Sequence, residues 1–166
     1  MNVLCPIDLE HKSSWHRALP EAVVQAKARD GKVYLMTVVP HIVAGVDWRY
    51  AIRGETGGSG DYDVKELVRQ AERRLDELVR DNVPETLRGG TIATHGTIYH
   101  EILQAAEELP ADLIVMASHR PSLKDYLLGP NTARVARHAR CAVFIVREDE
   151  KPPPSGAGAG APQRVP

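Results

Sequence analysis

The chain has 166 residues, 43% of them apolar, and a formal net charge of −1. This length and apolar content suit a single domain with one hydrophobic core, and the nearly neutral charge gives no attraction to nucleic acid or to an anionic membrane surface. No apolar run approaches the ~20 residues of a membrane span, and residues 1–6 lack the layout of a signal peptide. We therefore expect a cytoplasmic protein that neither inserts into a membrane nor binds nucleic acid.

The chain contains two cysteines and seven histidines. Cys5 and Cys141 each lie in an apolar run, which predicts two buried, reduced thiols rather than a disulfide. The histidines do not have the spacing of a zinc finger or a metalloprotease, so the sequence predicts no metal site.

A strand and a helix are predicted at the start of the chain. Residues 2–7 form a short apolar run that predicts a strand ending at Asp8. Ser13 or Ser14 is expected to cap the helix that follows. Its inward stripe consists of Trp15, Leu19, Ala22, Val23 and Ala26. Pro20 interrupts this pattern, so either the regular helix begins near Leu19 with Pro20 in its first turn, or the helix is kinked at Pro20.

The second predicted strand is followed by a segment without a regular period. Residues 32–39 predict the strand, and Pro40 closes it. Residues 41–62 contain five glycines among apolar side chains. A loop of this length is usually functional or mobile. Two interpretations stay open, a flap over a ligand-binding edge and a disordered excursion.

A long amphipathic helix beginning at Asp63 has the strongest pattern in the chain. Its inward residues are Val64, Leu67, Val68, Ala71, Leu75, Leu78 and Val79. We expect Gly89 and Gly90 to separate it from a third strand over residues 91–95. A third helix is predicted over residues 98–109, before Pro110.

The remaining elements complete an alternating order. Residues 112–117 and 142–146 predict the fourth and fifth strands, with a fourth helix between them. The small apolar positions of that helix are Ala133, Val135, Ala136 and Ala139. The alternation predicts an α/β domain over residues 1–148, with a parallel sheet and helices on both faces. The Pro/Gly/Ala-rich residues 149–166 should form a disordered tail.

Residues 116–132 join a buried strand, through a polar loop, to a helix that starts after Gly129. Backbone N–H groups at a helix start favour anions. The first strand would bring Asp8 to the same edge of the sheet, where open α/β sheets bind ligands. The sequence therefore predicts an anion-binding junction at this edge.

Several motifs occur in an order and spacing that resembles a known family. The motifs are Pro6-Ile7-Asp8, Thr37-Val38-Val39-Pro40, Gly96, residues 111–120, Leu127-Leu128-Gly129 and residues 135–147. Through them, residues 1–147 resemble the universal stress protein family. The Ser-His-Arg-Pro loop followed by Tyr-Leu-Leu-Gly is most similar to the small bacterial cytoplasmic branch, which binds adenine nucleotides.

The resemblance implies a Rossmann-like sheet in the order 3-2-1-4-5, of the adenine nucleotide alpha hydrolase-like type. It also implies a homodimer formed through the last strand, from Ala142 to Val146, and ATP or AMP, with or without Mg²⁺, at the carboxyl ends of the strands. Residues carried over to the nucleotide site are Pro6, Ile7, Asp8, Val38, Met116, Ala117, His119, Arg120, Gly129, Pro130, Asn131 and Thr132.

In this comparison Pro6, Ile7 and Asp8 would lie by the adenine and ribose, and Val38 would line the base pocket. The Asp8 carboxylate suits ribose hydroxyls or an adenine amino group, because an ionised carboxylate only accepts hydrogen bonds. Its alternative role is to cap the turn after the strand. His119 similarly either approaches the nucleotide or bonds within its own turn.

The loop departs from the pattern Gly-x2-Gly-x9-Gly-Ser/Thr of nucleotide-binding members. Ala117 and Arg120 replace the two leading glycines, the spacer is eight residues, and Pro130 replaces the Ser/Thr. Arg120 either blocks the backbone from a phosphate or binds it through its guanidinium. Pro130 removes a hydrogen bond to a charged group, worth about 1.5–3 kcal/mol, which the Thr132 hydroxyl is a candidate to replace.

The sequence lacks a recognisable set of nucleophile, base and orienting group. We therefore expect a stress protein that binds adenine nucleotide without catalysis, or with very slow catalysis. The alternative is a dimeric interaction module whose nucleotide site has degenerated.

Overall fold

A computed structural model describes residues 1–10, 12–40, 64–118 and 128–147, without the side chains of residues 12–14. The predicted flap or excursion at 41–62, the predicted tail at 149–166, and the site residues His119 and Arg120 lie outside the described residues.

Five parallel strands form one sheet in the order β3-β2-β1-β4-β5, which confirms the predicted topology. The strands are β1 (Asn2–Pro6), β2 (Lys32–Pro40), β3 (Arg88–Gly96), β4 (Leu113–Ser118) and β5 (Ala142–Arg147). The helices are α1 (Lys12–Lys27), α2 (Val64–Asn82), α3 (Ile98–Glu108) and α4 (Pro130–His138), and a short 3-10 helix spans Glu85–Leu87.

Helices cover both faces of the sheet. Leu19 of α1 and Leu75 of α2 pack in one core cluster with alternate residues of β1, β2 and β4. Ile102 of α3 and Val135 of α4 pack in a second cluster, on the opposite face, with the intervening strand residues. The central strands are therefore apolar at consecutive positions, because both of their faces are buried.

The first helix runs through Pro20. It extends over Lys12–Lys27, so the expectation that the regular helix begins near Leu19 is wrong, and Ser13 and Ser14 lie in its first turn rather than before it. Proline removes one intrahelical hydrogen bond. Pro20 is exposed, whereas Ala18, Leu19 and Ala22 are buried, so packing of the inner stripe offsets that loss.

The third strand begins three residues before the predicted start, at Arg88, and contains Gly89 and Gly90, which were expected to precede it. The reason is a close approach to Tyr34 on the neighbouring strand. A Cβ atom on Gly89 would lie 2.6 Å from carbons of the Tyr34 ring. The glycine therefore lets β3 pass the ring, and it does not end the strand.

The fourth helix buries a narrow face. Thr132 and Val135 are buried, and Ala139 is half-buried just after the helix. Of the other small apolar positions named from the sequence, Ala133 and Ala136 are exposed. Because an α-helix turns every 3.6 residues, positions 132, 135 and 139 share one face, and positions 133 and 136 point away from it. The inward stripe predicted for α2, by contrast, is confirmed: its residues are buried or half-buried.

Both cysteines carry free thiols, as predicted. Cys5 is buried in β1, whereas Cys141 is half-buried just before β5, so the expectation of two buried thiols holds only for Cys5. In the described part of the chain, no helix is long and apolar enough to cross a membrane.

Candidate functional site

The two central strands, β1 and β4, separate before they reach their carboxyl ends. They pair only through Val3 with Leu113 and Leu4 with Ile114. In contrast, β4 and β5 pair along all six residues of β4. The chain adds β2 and β3 on one side of β1 and then crosses over to add β4 and β5 on the other side. Ligands of open α/β sheets bind in the crevice outside the strand ends at such a position.

Pro6 explains why the strands part. The N–H of Ile7 donates to the Met36 oxygen of β2 at 2.8 Å. Since neighbouring residues of a strand direct their hydrogen bonds to opposite sides, the nitrogen of Pro6 faces β4. A proline nitrogen carries no hydrogen to donate, so the pairing with β4 ends where the crevice begins.

The end of β1 is held by a buried side chain of β2. The Thr37 hydroxyl donates to the Ile7 carbonyl oxygen at 3.0 Å, and Thr37 is 1% exposed. Ile7 is itself buried on the α1 side of the sheet. Thr37 is not among the predicted site residues, although a polar side chain within the apolar run of β2 is a signal that the sequence contains.

Asp8 lies exposed just beyond β1. Its Oδ1 accepts a hydrogen bond of 2.9 Å from the N–H of Glu10. This is the turn-capping role considered from the sequence. A carboxylate has further lone pairs, so the cap does not by itself prevent ligand binding, and the ligand role of Asp8 stays a prediction.

The fourth helix begins at the same edge of the sheet. Gly129 is its N-cap and Pro130 its first residue, as expected from the sequence. The first main-chain bond of the helix runs from the N–H of Ala133 to the Gly129 oxygen at 2.9 Å. Helix geometry therefore gives the N–H groups of Asn131 and Thr132 no acceptor within the helix, and N–H groups at such a helix start favour anions.

The Thr132 hydroxyl already contacts the end of β4. It donates to the Ala117 carbonyl oxygen at 3.5 Å, and Thr132 is 5% exposed. A hydroxyl has one proton, so it would have to give up this long bond in order to donate to a phosphate. Thr132 thus positions α4 against β4, and it is a weaker replacement for the group lost at Pro130 than the sequence suggested.

Val38 and Met116 provide apolar surface beside the crevice. Both belong to the core cluster on the α3 and α4 side, and they are 8% and 6% exposed. Only a small part of each side chain is therefore available to an adenine ring. Ala117 and Gly129 are half-buried, and Pro130 is exposed at the helix start.

The described site has the groups of a binding site rather than those of covalent catalysis. Cys5 lies in the strand below the crevice, and burial raises its thiol pKa to about 12, which keeps the thiol protonated near neutral pH. In the part of the chain that the structure describes, three or more His, Cys, Asp or Glu side chains do not come together as a metal-binding group.

The structure thus gathers ten of the twelve predicted site residues at the carboxyl ends of β1, β2 and β4 and at the start of α4. His119 and Arg120 are the other two, outside the described residues.

Three solved structures share this fold. One is universal stress protein UspA from Lactobacillus plantarum, with a TM-score of 0.60, 22% identity, and coverage of 89% of this chain and 97% of that one. A universal stress protein in complex with cAMP has a TM-score of 0.58 and 21% identity, and covers 89% of this chain and 96% of its own. The universal stress protein from Archaeoglobus fulgidus in complex with dAMP has a TM-score of 0.52 and 16% identity, and the match covers 87% of this chain and 96% of that one.

The sequence is also similar to a bacterial protein of known name. It is 30% identical over 149 residues to universal stress protein G of Shigella flexneri, a match that covers 87% of this chain and 97% of that protein. Residues 1–147 match the Universal stress protein family as a whole. The chain therefore belongs to the universal stress protein family.

Proposed function

We propose that this protein binds an adenine nucleotide in the crevice between the carboxyl ends of β1 and β4. The observation that carries the proposal is the parting of these strands at Pro6, directly where the N-terminus of α4 presents its backbone N–H groups. A phosphate would bind at the N–H groups of Asn131 and Thr132, and the Asp8 carboxylate would accept from ribose hydroxyls or from the adenine amino group.

The comparisons support the class of ligand. Two structurally similar proteins of the family are complexes with cAMP and with dAMP. We extend the proposal to ATP or AMP, with or without Mg²⁺. The assignment to the small cytoplasmic branch with the Ser-His-Arg-Pro loop is part of the same proposal, and so are a cytoplasmic location and a role in stress response or signalling.

Calorimetric titration with ATP, AMP and cyclic AMP, each with and without Mg²⁺, tests the proposal. We expect saturable binding of at least one of them at micromolar to millimolar concentration, the range of weak to moderate ligands. Absence of binding heat for all three ligands, together with unchanged thermal stability, would reject it. Mass spectrometry of denatured, freshly purified protein would reveal a nucleotide that was retained from the cell.

We propose further that binding is not accompanied by efficient hydrolysis. The described crevice offers one exposed carboxylate, Asp8, and a buried, protonated thiol below it, Cys5. Phosphate release measured with excess ATP should stay near the rate without protein. Turnover well above that rate, abolished in Asp8→Ala, would contradict this part of the proposal.

We also propose a homodimer formed through β5, from Ala142 to Val146. This strand lies at an edge of the sheet, so one row of its backbone hydrogen-bonding groups lacks a neighbouring strand within the described sheet. Phe144 is 41% exposed on the same strand. Pairing with a second copy would cover both features.

A nucleotide-independent interaction module is the second candidate. It is favoured by Pro130, which removes an N–H from the start of α4, and by Ala117 and Arg120 at the positions of two family glycines. This candidate predicts a stable dimer that carries no nucleotide and binds none. Retained AMP or ATP in the mass-spectrometric experiment would exclude it.

A further inference from the structure

Arg134 of α4 lies over the aromatic ring of Tyr99 on α3, with its Cζ atom 4.7 Å from the ring centroid. We infer that Arg134, positioned by Tyr99, is a specificity-determining residue that makes the crevice select nucleotides by their phosphate charge. This inference rests on the proposed nucleotide binding, and it adds a residue that neither the motif nor the resemblance assigned to the site.

In a parallel sheet, helices α3 and α4 both begin at the carboxyl edge, because each follows the end of a strand. Tyr99 is the second residue of α3, so its ring lies near that edge. The Cα atom of Arg134 lies about 6 Å along the helix axis from that of Pro130, and helical side chains lean toward the N-terminus. Contact with Tyr99 thus holds the guanidinium near the level of the first turn of α4.

Helix α4 contains no acidic residue. On the same side of the sheet, Arg140 pairs with Glu107 at 3.4 Å, whereas Arg134 forms no ion pair with any carboxylate among the described residues. Its positive charge therefore adds to the partial positive charge at the helix N-terminus, and no carboxylate of the described residues neutralises it.

A guanidinium over an aromatic ring uses its flat face for that contact and keeps its N–H donors at the rim. Those donors suit phosphate oxygens, while the aromatic contact limits the number of side-chain conformations. Such a cation raises the binding affinity of a nucleotide more when the nucleotide carries more phosphate charge, and it does not raise the affinity of a nucleoside without phosphate.

Three variants test whether Arg134 selects phosphate through its charge and through its contact with Tyr99. Arg134→Gln removes the cation and keeps most of the length of the side chain. Arg137→Gln is the matched control, because Arg137 is exposed one turn further along the same helix and carries the same charge. Tyr99→Leu removes the aromatic ring from beneath the guanidinium and keeps Arg134 itself.

The experiment is calorimetric titration of the wild type and the three variants with adenosine, AMP and ATP at low ionic strength, repeated at higher ionic strength. We expect Arg134→Gln to weaken ATP binding about tenfold, the lower range for a hydrogen bond to a charged group, and AMP binding less. Adenosine affinity should not change. Tyr99→Leu should weaken ATP binding by a smaller factor, and Arg137→Gln should change it by less than about threefold because of solvent screening. Added salt should reduce the difference between wild type and Arg134→Gln.

Equal losses of ATP affinity in Arg134→Gln and Arg137→Gln, or an equal loss of adenosine affinity in Arg134→Gln, would overturn the inference while leaving nucleotide binding intact. Absence of binding of all three ligands to the wild type would reject the proposed function, and the inference with it. Thermal unfolding of each variant shows whether a loss of affinity reflects a loss of folded protein.

Discussion

The Thr37 hydroxyl donates a hydrogen bond of 3.0 Å to the main-chain carbonyl of Ile7, a residue that lies 30 positions earlier in the chain. Both residues are buried. The bond fixes the end of β1 against β2 at the point where Pro6 releases β1 from β4. The edge of the crevice therefore depends on a contact inside the sheet.

Replacement of Thr37 by valine tests this relationship. The variant keeps the shape of the side chain but leaves the Ile7 carbonyl without its donor, so we expect the free energy of unfolding to fall by about 1–3 kcal/mol. Urea unfolding measures the change. Thr37→Ser keeps the hydroxyl, so it should lose less stability than Thr37→Val. An equal or larger loss of stability in the serine variant would show that packing, not the hydrogen bond, determines the effect.

The passage of β3 beside Tyr34 leads to a second stability prediction. A Cβ atom on Gly89 would lie 2.6 Å from ring carbons of Tyr34, whereas a Cβ atom on Gly90 would lie 3.7 Å from the nearest one, an ordinary contact. Gly89→Ala should therefore lower the free energy of unfolding by about 1–3 kcal/mol, the usual range for overpacking, and Gly90→Ala should lower it less. The double variant Tyr34→Ala, Gly89→Ala should lose less free energy of unfolding than the sum of the losses in the two single variants. Strict additivity in that double-variant cycle would contradict the proposed clash.

Periodicity was sufficient to predict the strand and helix order, because alternating buried strands and amphipathic helices have few ways to pack. It failed where a single contact decides the local structure. The sequence predicts a break at Gly89, since it does not show that the Tyr34 ring lies against this residue. The pattern also left open a helix start near Leu19, which is wrong, since the sequence does not show that Pro20 lies on the solvent side of a helix that begins at Lys12.

The candidate site was predictable to a similar extent. The motifs indicated which strand ends and which helix start form the crevice, and the described residues lie there. The sequence left two roles open for the Thr132 hydroxyl, a phosphate donor or a bond to its own backbone, and its contact with the Ala117 carbonyl depends on how α4 packs against β4. The Arg134 and Tyr99 pair was missed because its partners are 35 residues apart on different helices.

The buried thiol of Cys5 makes stability depend on alkaline pH. Burial raises its pKa from 9.0 to about 12, so between these values the unfolded chain loses a proton that the folded protein keeps. The contribution of the protonated thiol to the free energy of unfolding is fully present below about pH 9. Above that pH it falls by up to about 1.4 kcal/mol per pH unit. Denaturant unfolding at about pH 8 and about pH 10.5 should show a steeper fall for the wild type than for Cys5→Ala.

Cys141→Ala is the matched control for that experiment. Cys141 is half-buried, and burial raises its pKa less strongly, so its removal should change the pH dependence less than removal of Cys5. Parallel pH profiles for the wild type and Cys5→Ala would show that the Cys5 thiol ionises in the native state.

The exposed edge of β5 gives a prediction about assembly. Phe144 on β5 is 41% exposed and Val24 on α1 is 56% exposed, so the described surface offers two large apolar side chains for comparison. Phe144→Glu should shift the protein from dimer to monomer in sedimentation velocity, because a carboxylate would be buried in the interface. Val24→Glu should leave the dimer unchanged. Dissociation by the Val24 variant alone would place the interface on α1 instead.

Pro130 gives the most direct prediction about affinity, because it is exposed at the first position of α4 and has no N–H. Pro130→Ser adds a backbone donor and a hydroxyl beside the N–H groups of Asn131 and Thr132. A hydrogen bond to a charged group is worth about 1.5–3 kcal/mol, so ATP affinity should rise about tenfold or more, while adenosine affinity should not change. Pro110→Ser, an exposed proline after α3 at the opposite edge of the sheet, is the matched control and should leave both affinities unchanged. If Pro130→Ser binds ATP no more tightly than the wild type, the phosphate does not bind at the first turn of α4, since a new donor there would otherwise contribute.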